Sequence, residues 1–150
     1  MTTLKHLQAL VGLGLLVGAC GSADDDRPAD WAYIAPAIII PNCATSSCHS
    51  EAAAASGLDM STPDKAYKSL MSRKAQVVAC SELFKEDPDV PECEDPEKIA
   101  RPLVTPGDPL LSRTVNMMRA RGAERMPPDR PLAEADIELF ERWVLQGAKK

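Results

Sequence analysis

The chain has 150 residues, 45% of them hydrophobic but only two each of Trp, Tyr and Phe, which is enough for one compact domain and leaves few large rings to fill its centre. Its 13 prolines exclude a long coiled coil and point to short helices between constrained turns. A net charge of −5, with every acidic residue beyond position 19, excludes nucleic acid as a natural partner; it suits a basic patch on another protein or serves ordinary solubility.

The first residues read as a targeting segment. Met1 to Lys5 gives a short basic start and residues 7–17 an apolar run too short to span a bilayer. Val17-Gly18-Ala19-Cys20 then forms a small-residue cleavage site ending in cysteine. This arrangement resembles the lipobox of bacterial lipoproteins, which implies a signal peptide over 1–19, lipidation of Cys20 and a periplasm-facing, membrane-anchored position in the cell envelope. Gly21 in place of the aspartate that retains lipoproteins in the inner membrane points to the outer one. The bland alternative is an ordinary cleaved signal peptide with an incidental cysteine. Residues 20–29, small, polar and acidic, predict a flexible tether, with one folded domain over 30–150.

Trp31 to Ile40 is an apolar segment interrupted by Pro36 and closed by Pro41, predicting a short helix that feeds the loop at Cys43. Setting Cys20 aside leaves Cys43, Cys48, Cys80 and Cys93, and in an oxidising compartment these allow three disulfide pairings with no cofactor at all. Histidine separates the readings. His6 leaves with the leader, so His49, directly after Cys48, is the only imidazole of the mature chain. That rules out a multi-histidine zinc site, and a hydrolytic triad lacks any Gly-x-Ser-x-Gly elbow. Cys43-Ala-Thr-Ser-Ser-Cys48-His49 instead reads as CxxxxCH, a longer form of the CxxCH haem-attachment pattern. Two thiols add across the vinyl groups on one porphyrin edge, and the next residue brings an imidazole beneath the iron. The small intervening residues let the loop lie close to the ring.

Downstream, Ser61-Thr62-Pro63 signals a helix start, with Ala66, Tyr67, Leu70 and Met71 as its buried stripe. A second helix is expected to open at Pro106-Gly107-Asp108-Pro109, with Asp108 as cap, Leu111, Val115 and Met118 on one face, and Gly122 as its stop. Haem iron in a small electron carrier commonly takes a methionine thioether as second axial ligand. Met126, before Pro127 and Pro128, is the natural candidate, because two prolines hold the backbone extended without helical hydrogen bonds. Met60 and Met71 are weaker candidates, while Met117 and Met118 read as core. The last helix begins after Pro131, buries Ile137, Leu139, Phe140, Trp143 and Val144, and ends at Gly147 and two lysines. No stretch alternates as a strand would.

In this order the chain resembles the small c-type cytochrome domains of planctomycete and myxobacterial envelope proteins. The residues that carry the resemblance are CATSSCHS at 43–50 with Gly57-Leu58-Asp59-Met60 after it, Pro106-Gly107-Asp108-Pro109-Leu110-Leu111-Ser112, and Met126-Pro127-Pro128 followed by Pro131-Leu132 and the final helix ending Trp-Val-Leu-Gln-Gly-Ala. It implies an all-α, class I cytochrome c-like fold of short helices around one haem c. Cys43 and Cys48 would be the thioether sites, His49 the proximal and Met126 the distal metal ligand. Two departures stand out: the longer attachment loop, and an acidic insert over 77–99 read as a loop stapled by a Cys80–Cys93 disulfide, a closure contributing roughly 3 kcal/mol. The competing arrangement pairs all four cysteines with one another.

The expected function is a non-enzymatic haem-binding electron carrier, or accessory electron-transfer lipoprotein, acting as a monomer on a redox partner protein. The alternatives are a haem-free, disulfide-stapled structural or binding lipoprotein, and a peroxidase-like or sensor haem protein that leaves the distal side open.

Overall fold

The computed structural model describes residues 25–76 and 100–150; the leader, Cys20 and the expected Cys80–Cys93 bridge lie outside them. Helices dominate, joined by turns and one small ladder.

Asp30 opens the N-terminal helix, its carboxylate accepting from the Tyr33 N–H at 2.8 Å. Three stretches then run on without a break: α-helical Trp31–Ile34, π-helical Ala35–Ile39 and α-helical Ile40–Cys43. The expectation that Pro41 closes this helix is corrected. A proline inside an α-helix deletes one hydrogen bond and presses on the carbonyl a turn earlier. Here the register widens between Pro36 and Pro41, with the Ile40 N–H reaching the Ala35 carbonyl, so the helix passes both prolines and ends at Cys43. Trp31, Ile34, Ala35, Ile38 and Ile39 form its buried face.

The C-terminal helix, Glu134–Leu145, buries Ile137, Leu139, Phe140, Trp143 and Val144. It meets the N-terminal helix where the rings of Trp31 and Trp143 lie 4.9 Å apart, and Tyr67 packs edge-on against both. Tyr67 comes from the helix Pro63–Ser72, capped by the Thr62 hydroxyl. Each ring's polar handle has a partner: Trp31 Nε1 donates to the Pro63 carbonyl, Trp143 Nε1 to Lys149 and Tyr67 Oη to Ala148. Gly147, at φ +95°, ends the C-terminal helix, the Ala148 N–H reaching back to Trp143 and the Gly147 N–H to Val144. That pair of bonds needs a left-handed residue at Gly147.

The loop after Pro106 departs from expectation. Asp108 does cap, but it caps a turn by accepting from the Leu111 N–H, and the helix is only Arg113–Arg119. The cause is Ser112, fully buried, whose hydroxyl accepts from the Thr105 N–H and donates to the Asp108 carbonyl, both at 2.8 Å. Those bonds hold its backbone extended (φ −81°, ψ 110°), so no helix passes through it. Leu111 accordingly stays exposed, while Val115 and Met118 are buried.

Two further features were not anticipated. Lys74–Gln76 pairs antiparallel with Ala100–Pro102, Ala75 opposite Arg101, across the base of the 77–99 insert. And the stretch expected to be free tether through residue 29 is engaged from Asp25 onward. Arg27 pairs with Asp136 at 2.6 Å, and Arg142 donates to the Asp25 and Arg27 carbonyls, which lays this stretch against the C-terminal helix. Among the described residues no helix is long and apolar enough to cross a membrane.

Candidate functional site

Cys43 occupies the last position of the N-terminal helix, and the turn that follows folds tightly back on it. The Cys48 N–H bonds to the Thr45 carbonyl at 2.9 Å and the His49 N–H to the Cys43 carbonyl at 3.0 Å, which brings both cysteines and the imidazole into one loop closure. Ala44, Thr45, Ser46 and Ser47 are small enough for the loop to turn without shielding the thiols behind bulky side chains. Both sulfurs are free thiols. Burial, and secondarily the neighbouring Cys48, pushes the Cys43 thiol up to about 12.

His49 is oriented by the next turn. Its Nδ1 lies 2.9 Å from the Ala55 carbonyl. A carbonyl only accepts, so Nδ1 carries the proton, and in the neutral ring the lone pair is on Nε2. The backbone that delivers this carbonyl is strained at Ala54 and Ser56, whose φ values are 40° and 54°, while Gly57 takes its φ of 71° freely. From there Leu58 and Met60 turn inward. The Met60 N–H bonds to the His49 carbonyl at 2.7 Å, and Ser69 Oγ bonds to the Asp59 carbonyl. Asp59 itself is held by the Ser61 hydroxyl and N–H and by Lys65, which depress its carboxyl to about 2. Ion pair and hydrogen bonds thus tie the His49 loop to the Pro63–Ser72 helix.

These residues open onto an apolar cleft whose empty space, about 530 Å³, includes the solvent at its open mouth. Asn42, Cys43, Cys48 and His49 line it from the attachment loop, Leu58, Met60, Leu70 and Leu103 from the core, Thr114, Met117 and Met118 from the Arg113–Arg119 helix, and Met126, Pro127 and Pro128 from the following loop. The structure therefore brings Cys43, Cys48, His49 and Met126 to one cavity; Met71 is not part of its wall. Cys20, Cys80 and Cys93 fall outside the described residues.

Met126 is held at this wall by neighbours on both sides. Its N–H bonds to the Met117 carbonyl at 3.0 Å, and Arg125 donates to the carbonyls of Pro127 and Pro128. The turn before it is fixed by Arg113, buried and paired with Glu124 at 2.7 Å. Sequence reasoning missed Asn42, Leu103, Thr114 and the cleft-facing role of Met117 and Met118. Only Met118 carried a signal, as a member of an apolar stripe, and that signal does not tell wall from core.

Among the described residues no three His, Cys, Asp or Glu side chains converge as a metal site of their own. An iron here would need donors from a macrocycle. Two thiols, an imidazole with a free Nε2, a thioether and apolar walls are what a haem requires of a protein, so the residues present fit that group. No protein-family model, curated protein or solved structure matches the chain.

Proposed function

We propose that this chain is an electron-carrying lipoprotein with one covalent haem c. The observation that carries the reading is an apolar cleft that takes in the attachment-loop thiols, the His49 imidazole and the Met126 loop together. Cys43 and Cys48 would each add S–H across a porphyrin vinyl group, the sulfur bonding one carbon and the proton the other, with no net oxidation. His49 would give Nε2 to the iron, its Nδ1–H bond to Ala55 raising the basicity of the ring and fixing its orientation. Met126 would help hold the group through its thioether sulfur, a soft donor that raises the potential of a haem iron.

Haem, once bound, supplies a one-electron ferric–ferrous couple. The chain's own part is to exclude water with Leu58, Met60, Leu70, Leu103 and Met118, and to hold two soft and aromatic donors in place so that little reorganises when the charge changes. Lipidation at Cys20 would fix the domain to the envelope membrane facing the periplasm, where it would meet a redox partner protein as a monomer.

The test is expression with c-type haem maturation, acid–acetone extraction and the pyridine haemochrome spectrum. Haem that stays with the polypeptide after extraction supports the reading. A colourless chain with all thiols paired would refute it and leave the disulfide-stapled lipoprotein. Carbon monoxide binding to the reduced protein at neutral pH would replace the carrier with an open-sided haem sensor.

A further inference from the structure

Four large hydrophobic side chains stay exposed among the described residues: Leu110, Leu111, Met126 and Leu145, at 81%, 48%, 40% and 60%. Met126 belongs to the cleft. The other three belong to one end of the fold. Leu145 is the last residue of the C-terminal helix, and the turn that carries Leu110 and Leu111 is fastened beside it, the Gly107 N–H donating to the Val144 carbonyl at 2.8 Å. A single exposed leucine needs no explanation, but three at one end of a small domain mark a surface that something meets.

The charge changes sign toward the same end. The helix bears Glu134, Asp136, Glu138 and Glu141 along its earlier turns, then Arg142, and the exposed Lys149 and Lys150 follow Gly147. Of the nearby acids, Asp108 accepts from the Leu111 N–H and Asp64 pairs with Lys150 at 3.0 Å, an exposed contact of little strength. The route to the anchor starts here too. Arg142 Nη1 donates to the Asp25 carbonyl at 2.7 Å and Arg142 Nη2 lies 3.5 Å from the Asp25 carboxylate. Arg142 is three residues before Leu145, a neighbour on the same helix face. Five residue steps separate Asp25 from Cys20, at most about 18 Å of extended chain. An acyl group on Cys20 therefore brings the bilayer surface to within about that distance of Leu145, closer than a free tether would impose.

We propose that the end of the domain bearing Leu110, Leu111 and Leu145 is its membrane face, the leucines entering the interfacial layer while Lys149 and Lys150 meet anionic lipid headgroups. The Met126 loop leads into the opposite end of the same helix, twelve residues and about 18 Å away, so this posture turns it from the bilayer. The inference rests on the lipidation of Cys20 and not on the haem.

The test places the lipidated chain, its acyl mass confirmed by mass spectrometry, in nanodiscs of phosphatidylethanolamine and phosphatidylglycerol containing a gadolinium-chelating lipid, and reads amide line broadening by NMR against the same discs without gadolinium. The expected result is the strongest broadening at Leu110, Leu111 and residues 145–150 and the weakest at the Met126 loop. Lys149→Gln should reduce the broadening at residues 145–148 about fivefold, the factor by which one cation favours an anionic surface. Leu110→Ser with Leu145→Ser, both at exposed positions, should even out the pattern. Broadening that is strongest on another face, or equal over the whole surface, would overturn the proposal while the acyl mass leaves the anchor in place. Shifts of the same amides with protein concentration in Cys20→Ser without nanodiscs would assign the face to a second copy and likewise overturn it. A chain whose mass shows no acyl group would remove the anchor and this inference together and leave the haem reading untouched.

Discussion

Four methionines line the cleft, and truncating them one at a time separates the iron ligand from the wall. Met60 and Met118 are 5% and 4% exposed, so alanine at either leaves a cavity and costs about 2–5 kcal/mol. Met126 keeps 40% of its surface in water. Scaling the roughly 1.5–3 kcal/mol for a fully buried methionine by the part removed from water, the packing loss of Met126→Ala is about 1–2 kcal/mol. With a urea slope of about 2 kcal/mol per molar, the middle of the range for a small domain, Met60→Ala and Met118→Ala should lower the unfolding midpoint by about 1–2.5 M. The assay follows far-UV circular dichroism and the long-wavelength charge-transfer band on the same haem-loaded samples. Met126→Ala should lose the band and gain carbon monoxide binding when reduced, while the buried truncations weaken the fold and keep the band. The assignment of Met126 fails if the band survives its removal and disappears with Met60, Met117 or Met118.

Two further outcomes follow from contacts around the cleft. Arg125→Ala removes the two hydrogen bonds that brace the Pro127 and Pro128 carbonyls; the charge-transfer band should then fade at a lower temperature and added imidazole should displace the thioether faster, with stability changed by about 1 kcal/mol or less. Arg125→Lys should restore this only in part, because an ammonium lacks the planar fork that spans both carbonyls; a melting profile of the band identical to wild type would refute the brace. Asp59 is depressed to about 2 by Ser61 and Lys65, so its contribution to stability is complete above the ordinary carboxyl range and is lost as pH falls toward 2. Denaturation midpoints measured from pH 5 to pH 2 should therefore fall less steeply in Asp59→Asn than in wild type, and equal slopes would show that the Asp59 network adds nothing to the fold.

Much of the scaffold was legible because its signals are local. Thr62-Pro63 marks a helix start by a capping hydroxyl and a residue with no N–H to lose, and the 137–144 stripe declares its own buried face. Four residues that the structure brings to the cleft, Cys43, Cys48, His49 and Met126, could be singled out by their types and spacing. What the sequence did not disclose depends on partners distant along the chain. Ser112 looks like any helix residue until Thr105 and Asp108 claim its hydroxyl. Pro41 reads as a stop because the π register that accommodates it needs five residues, not one. Lys74–Gln76 and Ala100–Pro102 lack any apolar alternation and exist as strands only because each supplies the other's hydrogen bonds.

That short ladder also fixes where the chain leaves the described part of the domain and where it returns. Leu103, one residue past the second strand, is in the cleft wall, and its N–H bonds to the Arg73 carbonyl just before the first. The chain thus leaves and re-enters the domain at neighbouring points whose spacing is already fixed. Closing a longer segment between such points costs only about 0.6 kcal/mol per doubling of length. Replacing residues 77–99 with a short linker, a fluorescent domain or a surface-immobilisation tag should accordingly leave the cleft and the fold's unfolding midpoint intact, which makes this exit point the natural place to attach a cargo.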